Sequence, residues 1–260
     1  VSNHAIKNID SIRGESKSLS IVNFANSKEP LELKIGFSFV SIKNAKENLE
    51  KEIGNKDFAE IRNEATETWE NLLSKIKVSG ATEKQRWVFY SSLYRSFLWP
   101  ALRSDANGEF TDAKGEVVNK GFRYYTDPSF WDDYRNKLIL LGMISPDVAA
   151  DVINSITDKG EKTGFMPTFF HGDHASTFVT GSYLRGLRGF DVNNAYHLIL
   201  KNATVEGGRP HLMEYIAKGY ISEMNIKNPK IETVAKAAVT KTLEYAYDDY
   251  AVALLAKELG

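Results

Sequence analysis

From Ser41 onward the apolar residues of this chain recur at helical spacing, stripe after stripe, with no run of strand period between them. Ile42, Ala45, Leu49 and Ile53 mark the inward face of a first helix, with Ser41 as its N-cap and Gly54 at its end. Phe58, Ile61, Ala65, Trp69, Leu72, Leu73 and Ile76 form a longer stripe, closed by Gly80. Thr82 and Gln85 stand at capping-box spacing. The helix they open, to about Trp99, is apolar on most sides (Trp87, Val88, Phe89, Tyr90, Leu93, Tyr94, Phe97), which predicts packing between other helices. Ser145 and Pro146 fit N-cap and N1 of a further helix whose Ala149, Val152, Ile153 and Ile156 face inward. Asp191 caps another, running to about Asn202. A last stripe of Leu243, Tyr247, Tyr250 and Leu254 belongs to a helix that starts at Thr233 or later. Helices in succession with no sheet between them must pack on one another, so the predicted fold is mainly α.

The first forty residues read differently. Leu31, Leu33, Ile35, Phe37 and Phe39 alternate with other residues, the period of a strand with one buried face. The apolar islands between Leu19 and Phe24 suggest one more strand. So little sheet cannot bury its own face, and the segment reads as the tail of a sheet domain lying upstream. Val1 in place of a start methionine adds the expectation of a processed or excised segment. Residues 101–128 read as a loop. Asp105, Asn107, Glu109 and Asp112 superficially resemble a calcium loop, but Gly108 falls at the fourth place, where such a loop needs its glycine at about the sixth.

Charge and composition exclude several functions. Lys and Arg number 33 against 34 Asp and Glu, a net charge of -1, which argues against nucleic acid or an anionic membrane surface as partner. With no cysteine there is no disulfide, thiolate nucleophile or cysteine-bound metal. No apolar run reaches membrane-spanning length. Phosphate-loop, dinucleotide and Ser-His-Asp signatures are lacking.

Three constellations have the residue types for chemistry. In Ser129–Arg135 an indole plate, two carboxylates and a guanidinium lie within seven residues. A polyhydroxylated ring needs a face to stack on (Trp131), an acceptor for its hydroxyls (Asp132) and a brace for the acceptor (Arg135). The bland alternative is an aromatic core residue beside a helix start and a surface ion pair. The second is His171-Gly-Asp173-His174, where Gly172 permits close approach. It suits an acid–base site, a metal site lacking a nearby third ligand, or a turn in which Asp173 merely caps the next helix. The third is Glu244 with Asp248 and Asp249, set among Tyr245, Tyr247 and Tyr250. That cluster could bind calcium or sugar hydroxyls, or be a solvated helix face.

Five segments, in order, resemble glycoside hydrolase family 92, the exo-α-mannosidases. They are Phe39–Leu49, Phe89–Pro100 followed by Ser104-Asp105 and Gly108, Phe130-Trp-Asp-Asp-Tyr-Arg135, Tyr183–Asp191 and Thr242–Tyr250. The resemblance covers roughly residues 31–260. It implies the last strands of an N-terminal β-sandwich over residues 1–40, linker helices over 41–80, and the first part of an (α/α)6 toroid over 81–260. It further implies removal of terminal α-linked mannose from N-glycans or mannan, with inversion and a bound Ca2+, in the periplasm or outside the cell. Trp131, Asp132, Arg135 and His174 would then bind substrate, and Glu244 and Asp248 would hold the metal. The family's general-base segment should follow beyond Gly260, so the chain is expected to be a fragment, inactive alone and completed by polypeptide on both sides.

One departure stands out. The family carries its general-acid Glu shortly before a Gly-x-His, which Gly172-Asp-His174 matches. Only four residues separate Pro167 from Gly172, and none is Glu. Asp173 or His171 is therefore expected to replace the acid, or the leaving group to need no proton, as a phosphate would not. A catalytically silent carbohydrate-binding or interaction module is the rival reading.

Overall fold

The structure, a computed structural model, describes residues 6–13, 18–24, 32–222 and 236–260. The chain divides into two compact units, Val1–Ile35 and Gly36–Gly260. In the first, β1 (Ile6–Arg13) pairs antiparallel with β2 (Ser18–Phe24), Ile9 opposite Val22. The alternating stretch after it is not a strand. Residues 32–38 form no ladder with another strand among the described residues, and Leu33, Phe37 and Phe39 are exposed. Alternation supplies a face but no ladder partner, and a strand needs both.

In the second unit the helices begin where the caps put them. Ser41 accepts the Asn44 N–H ahead of α1 (Ile42–Glu52). Full capping boxes open α2 (Phe58–Leu73), through Asp57 and Glu60, and α3 (Glu83–Ser96), through Thr82 and Gln85. After a loop with the short pair β3 (Phe110–Thr111) and β4 (Val117–Val118) come α4 (Phe130–Asp133) and α5 (Lys137–Ile144). Then follow α6 (Pro146–Thr163), α7 (Ala175–Leu184), α8 (Val192–Thr204), α9 (Leu212–Lys218) and α10 (Ala238–Leu259). The two-turn α9 lies in a stretch whose sequence reads as loop. The expected start of the last helix, near Thr233, lies outside the described residues.

The core sits among α5, α6, α7, α8 and α10. Leu138 and Leu141, Val152, Ile153 and Ile156, Phe178 and Val179, Leu198 and Ile199, and Val252 and Leu255 form one buried cluster. The helices before it pack otherwise than their stripes predict. α2 buries no residue fully and α3 only Leu93, while Trp87 is 72% exposed. They rest on one another through Trp69 and Tyr94, ring centroids 4.4 Å apart.

α1 turns its polar residues inward. Asn44 and Asn48 are buried, whereas Ile42 is 80% exposed. Asp105 explains this: one oxygen accepts from Ser38 Oγ at 2.7 Å and Asn44 Nδ2 at 2.9 Å, the other from Asn48 Nδ2 at 2.8 Å. With three donors so placed, this carboxylate has little to offer a calcium ion. Removing it strands those donors, so Asp105→Ala is expected to cost about 2 kcal/mol. The loss should be local, read as faster amide hydrogen exchange in α1 than in α6. Exchange in α1 no faster in Asp105→Ala than in the wild type would reject the clamp.

No helix among the described residues is long and apolar enough to cross a membrane.

Candidate functional site

α4, α10 and the turn before α7 converge. Trp131, half-buried on α4, donates its indole N–H to Glu244 Oε1 of α10 at 3.1 Å. The turn is as short as a hairpin permits: a Phe169–Gly172 bridge closes over Phe170 and His171. Phe170 takes a left-handed φ of 58°, uncommon for a bulky residue and a sign of a constrained tip. That tip faces Trp131. The His171 ring stands edge-on to the indole at 5.8 Å, and Phe170 lies 6.1 Å from it. Burial, then Lys241, pulls His171 below the usual histidine value, which favours the neutral imidazole. Its Nδ1 is buried with no hydrogen-bond partner among the described residues. An aromatic plate, a carboxylate and a neutral imidazole thus share one mouth.

Beneath it lies a buried polar layer. His174 is fully buried, stacked on Tyr134 with centroids 4.2 Å apart. Its Nδ1 is 2.9 Å from Asp248 Oδ1 and its Nε2 is 3.4 Å from Glu244 Oε2. Asp248 Oδ2 accepts the Asp173 backbone N–H at 2.6 Å. The Asp173 carboxylate accepts from Asn202 Nδ2 at 3.1 Å and from Arg209 Nε at 3.0 Å, and Arg209 also pairs with Asp249. Burial pushes Asp173 up; Arg209 opposes and Asp248 adds to the rise, leaving it at about 7.

Several expected site residues therefore stand elsewhere. Asp173, though its pKa would suit an acid, has no exposed surface and both oxygens engaged, so it does not face the mouth. Nor does it cap α7, whose N-cap is His174 with no side-chain cap bond. His174 lies below the mouth, screened from it. Asp132 is exposed, accepts from Ser129 Oγ at 2.6 Å, and among the described residues contacts neither Glu244 nor His171. Arg135 braces no carboxylate among the described residues; its guanidinium lies over Tyr134 and Trp131, 4.9 and 5.8 Å from the ring centres.

Glu244 and Asp248 do not fit a calcium site as a pair. Calcium takes about six to eight oxygens. Asp248 has both of its oxygens committed, and one of Glu244's belongs to Trp131. No group of three or more His, Asp or Glu among the described residues is arranged to hold a metal.

Sequence reasoning missed Tyr134, Asn202, Arg209 and Lys241. Asn202 had a signal, since it continues the Ala195–Leu198–Ile199 stripe where an apolar residue belongs. Arg209 follows two glycines, and a Cβ on Gly208 would meet Asn202 at 3.0 Å, a close approach that draws the loop onto α8.

The family model of the glycosyl hydrolase family 92 catalytic domain matches residues 44–260. The chain belongs to that family. Its mainly helical fold is that of the family's α/α toroid catalytic domain. An uncharacterized secreted glycosidase of Arthroderma benhamiae is 27% identical over 250 residues, 91% of this chain and 29% of the relative. Among solved structures, a family 92 α-mannosidase of Bacteroides thetaiotaomicron is 31% identical with a TM-score of 0.77, over 86% of this chain and 30% of that one. It is also known in complex with mannoimidazole. An inverting mannosidase of family 92 from the same organism is 25% identical with a TM-score of 0.81, over 99% of this chain and 38% of its own length. The chain thus spans about 30% of the length of the relatives it matches first.

Proposed function

We propose that this chain supplies one wall of the sugar site of an inverting, exo-acting α-mannosidase. The Trp131–Glu244–His171 mouth carries the reading. Trp131 gives the terminal mannose a face to stack on, and Glu244 fixes the indole from behind. The His171 ring, edge-on to the indole, closes the other side of the sugar's seat. Two mannosidases among the similar structures and the mannoimidazole complex support mannose as the sugar. The name of the Arthroderma relative supports action outside the cytoplasm. The break between Ile35 and Gly36 supports setting the sheet-domain tail apart from the helical region that follows.

Inversion needs two carboxyl groups about 6.5–9.5 Å apart with water between base and sugar. The base comes from polypeptide outside this chain. A bound calcium would draw its ligands from residues other than Asp248, whose two oxygens are engaged. A second reading is favoured by the closed Phe169–Gly172 turn, which has no room for an acid and no carboxyl reaching the mouth. There the leaving group is one that departs unprotonated, such as a phosphate.

The test uses the complete product of the gene. It should release mannose from an aryl α-mannoside with an inverted anomeric centre, followed by NMR. Trp131→Ala should lower kcat/KM about 10- to 100-fold, the scale of a lost stacking plate and its hydrogen bond. Turnover unaffected by that change would reject the site. Binding of mannosides without turnover would establish a carbohydrate-binding module instead.

A further inference from the structure

The geometry points to Asp248 as a positioning residue that sets the ring proton of His174 and, through that ring, the stance of Glu244 behind Trp131. This rests on the sugar-site reading above and departs from the expectation that Asp248 holds a metal. Asp248 is fully buried, and carboxylate oxygens only accept. Oδ2 is taken by the Asp173 N–H at 2.6 Å, so Oδ1, 2.9 Å from His174 Nδ1, requires the proton to sit on that nitrogen. The ring has no freedom to choose otherwise. Tyr134 is stacked on it, and its Nε2 edge lies so close to Gly172 that a Cβ there would stand 2.5 Å away. Nε2 then turns a lone pair towards Glu244 Oε2, 3.4 Å off, with no hydrogen-bond partner among the described residues, and so repels that oxygen where a proton on Nε2 would draw it in. Glu244 turns its other oxygen to the indole N–H. Four side chains thus stand in line, Asp248, His174, Glu244 and Trp131, and only the last two border the mouth. Partners of this outer kind fix the tautomer and aim of the groups they support.

The experiment compares two variants of the complete gene product, with ring nitrogen NMR of His174 as the readout. In Asp248→Asn the amide keeps one acceptor for the Asp173 N–H and turns its NH2 towards Nδ1, so the ring proton should move to Nε2. kcat/KM on an aryl α-mannoside should fall about 10- to 100-fold. Calcium affinity, by titration calorimetry, should stay within about threefold, because the metal has lost no ligand. In Glu244→Gln, at the more exposed end of the line and sound in fold even where Asp248→Asn is not, the proton should remain on Nδ1. A proton that moves in Glu244→Gln, or one that stays on Nδ1 in Asp248→Asn, overturns the assignment. So does a tenfold loss of calcium affinity in Asp248→Asn, which would make Asp248 a ligand after all. If the wild type turns over no mannoside, the sugar-site reading fails, while the NMR still decides what Asp248 does to His174.

Discussion

Asp173→Asn is expected to destabilise the protein by about 3–5 kcal/mol, the cost of breaking a buried ion pair from one side. Both oxygens of Asp173 face donors, Asn202 Nδ2 and Arg209 Nε. An asparagine must point its NH2 at one of them. Arg209, 2% exposed, would keep only Asp249, and one of its nitrogens already lacks a partner among the described residues. Urea unfolding at pH 8, followed by tryptophan fluorescence, measures the loss. A midpoint shift worth less than about 1 kcal/mol would mean the network is no anchor. The pH dependence has a definite sign. The folded pKa, about 7, lies above the ordinary aspartate value of 3.8. The folded state therefore binds this proton more tightly, and the stability it adds is complete below about 3.9 and lost as pH rises through 7. Wild type should gain on Asp173→Asn as pH falls from 7 towards 4. An unchanged gap would mean that Arg209 holds the carboxyl ionised throughout.

Much of this architecture is legible in the chain because its signals are local. Thr82 and Gln85 lie three residues apart, so their box can be read directly, and the same holds for Asp191 over Asn194. The stripe of Val152, Ile153 and Ile156 fixes the inner face of α6 for the same reason. What failed were inferences that depend on a distant partner. The alternation up to Phe39 says which way side chains point and nothing about what pairs with them. α1 looked apolar inward because Ile42 and Ile53 outweigh two asparagines on any hydrophobicity count. Asp105, 57 residues beyond Asn48, reverses that by giving the amides a charged acceptor. The site divides likewise. Trp131 and Glu244 were singled out, each by its own motif, but their contact spans 113 residues and has no trace in either segment. Asp173 read as an acid or a cap because its true partners, Asn202 and Arg209, are 29 and 36 residues away. Titratable side chains are conspicuous in a sequence whether they face a substrate or a buried guanidinium; burial decides, and burial is a property of the fold.

Gly172→Ala is expected to be nearly as damaging as the loss of Asp173, although it adds one methyl group to a residue with ordinary φ. The added Cβ would stand 2.4 Å from His174 Cε1, 2.5 Å from its Nε2 and 3.0 Å from Asp248 Oδ2. A flexible neighbour would move aside, but this ring cannot. It is fully buried, with Tyr134 on one face and Asp248 on Nδ1. Two responses remain. The ring swings out and breaks its bond to Asp248, or the Phe169–Gly172 turn shifts and carries Phe170 and His171 off Trp131. Overpacking costs about 1–3 kcal/mol, and orphaning a buried bond adds about 1–3 more. A total near 3–4 kcal/mol should appear in urea unfolding, together with loss of mannoside turnover in the protein that still folds. The control is Gly186→Ala, in the loop after α7, where a Cβ meets nothing within 4 Å and the strain is only that of a left-handed φ of 92°. It should cost about 1–2 kcal/mol and leave the mouth intact. If Gly172→Ala is as mild as that control and as active as wild type, the close approach of turn to imidazole is wrong, and with it the account of how this shortened turn is seated.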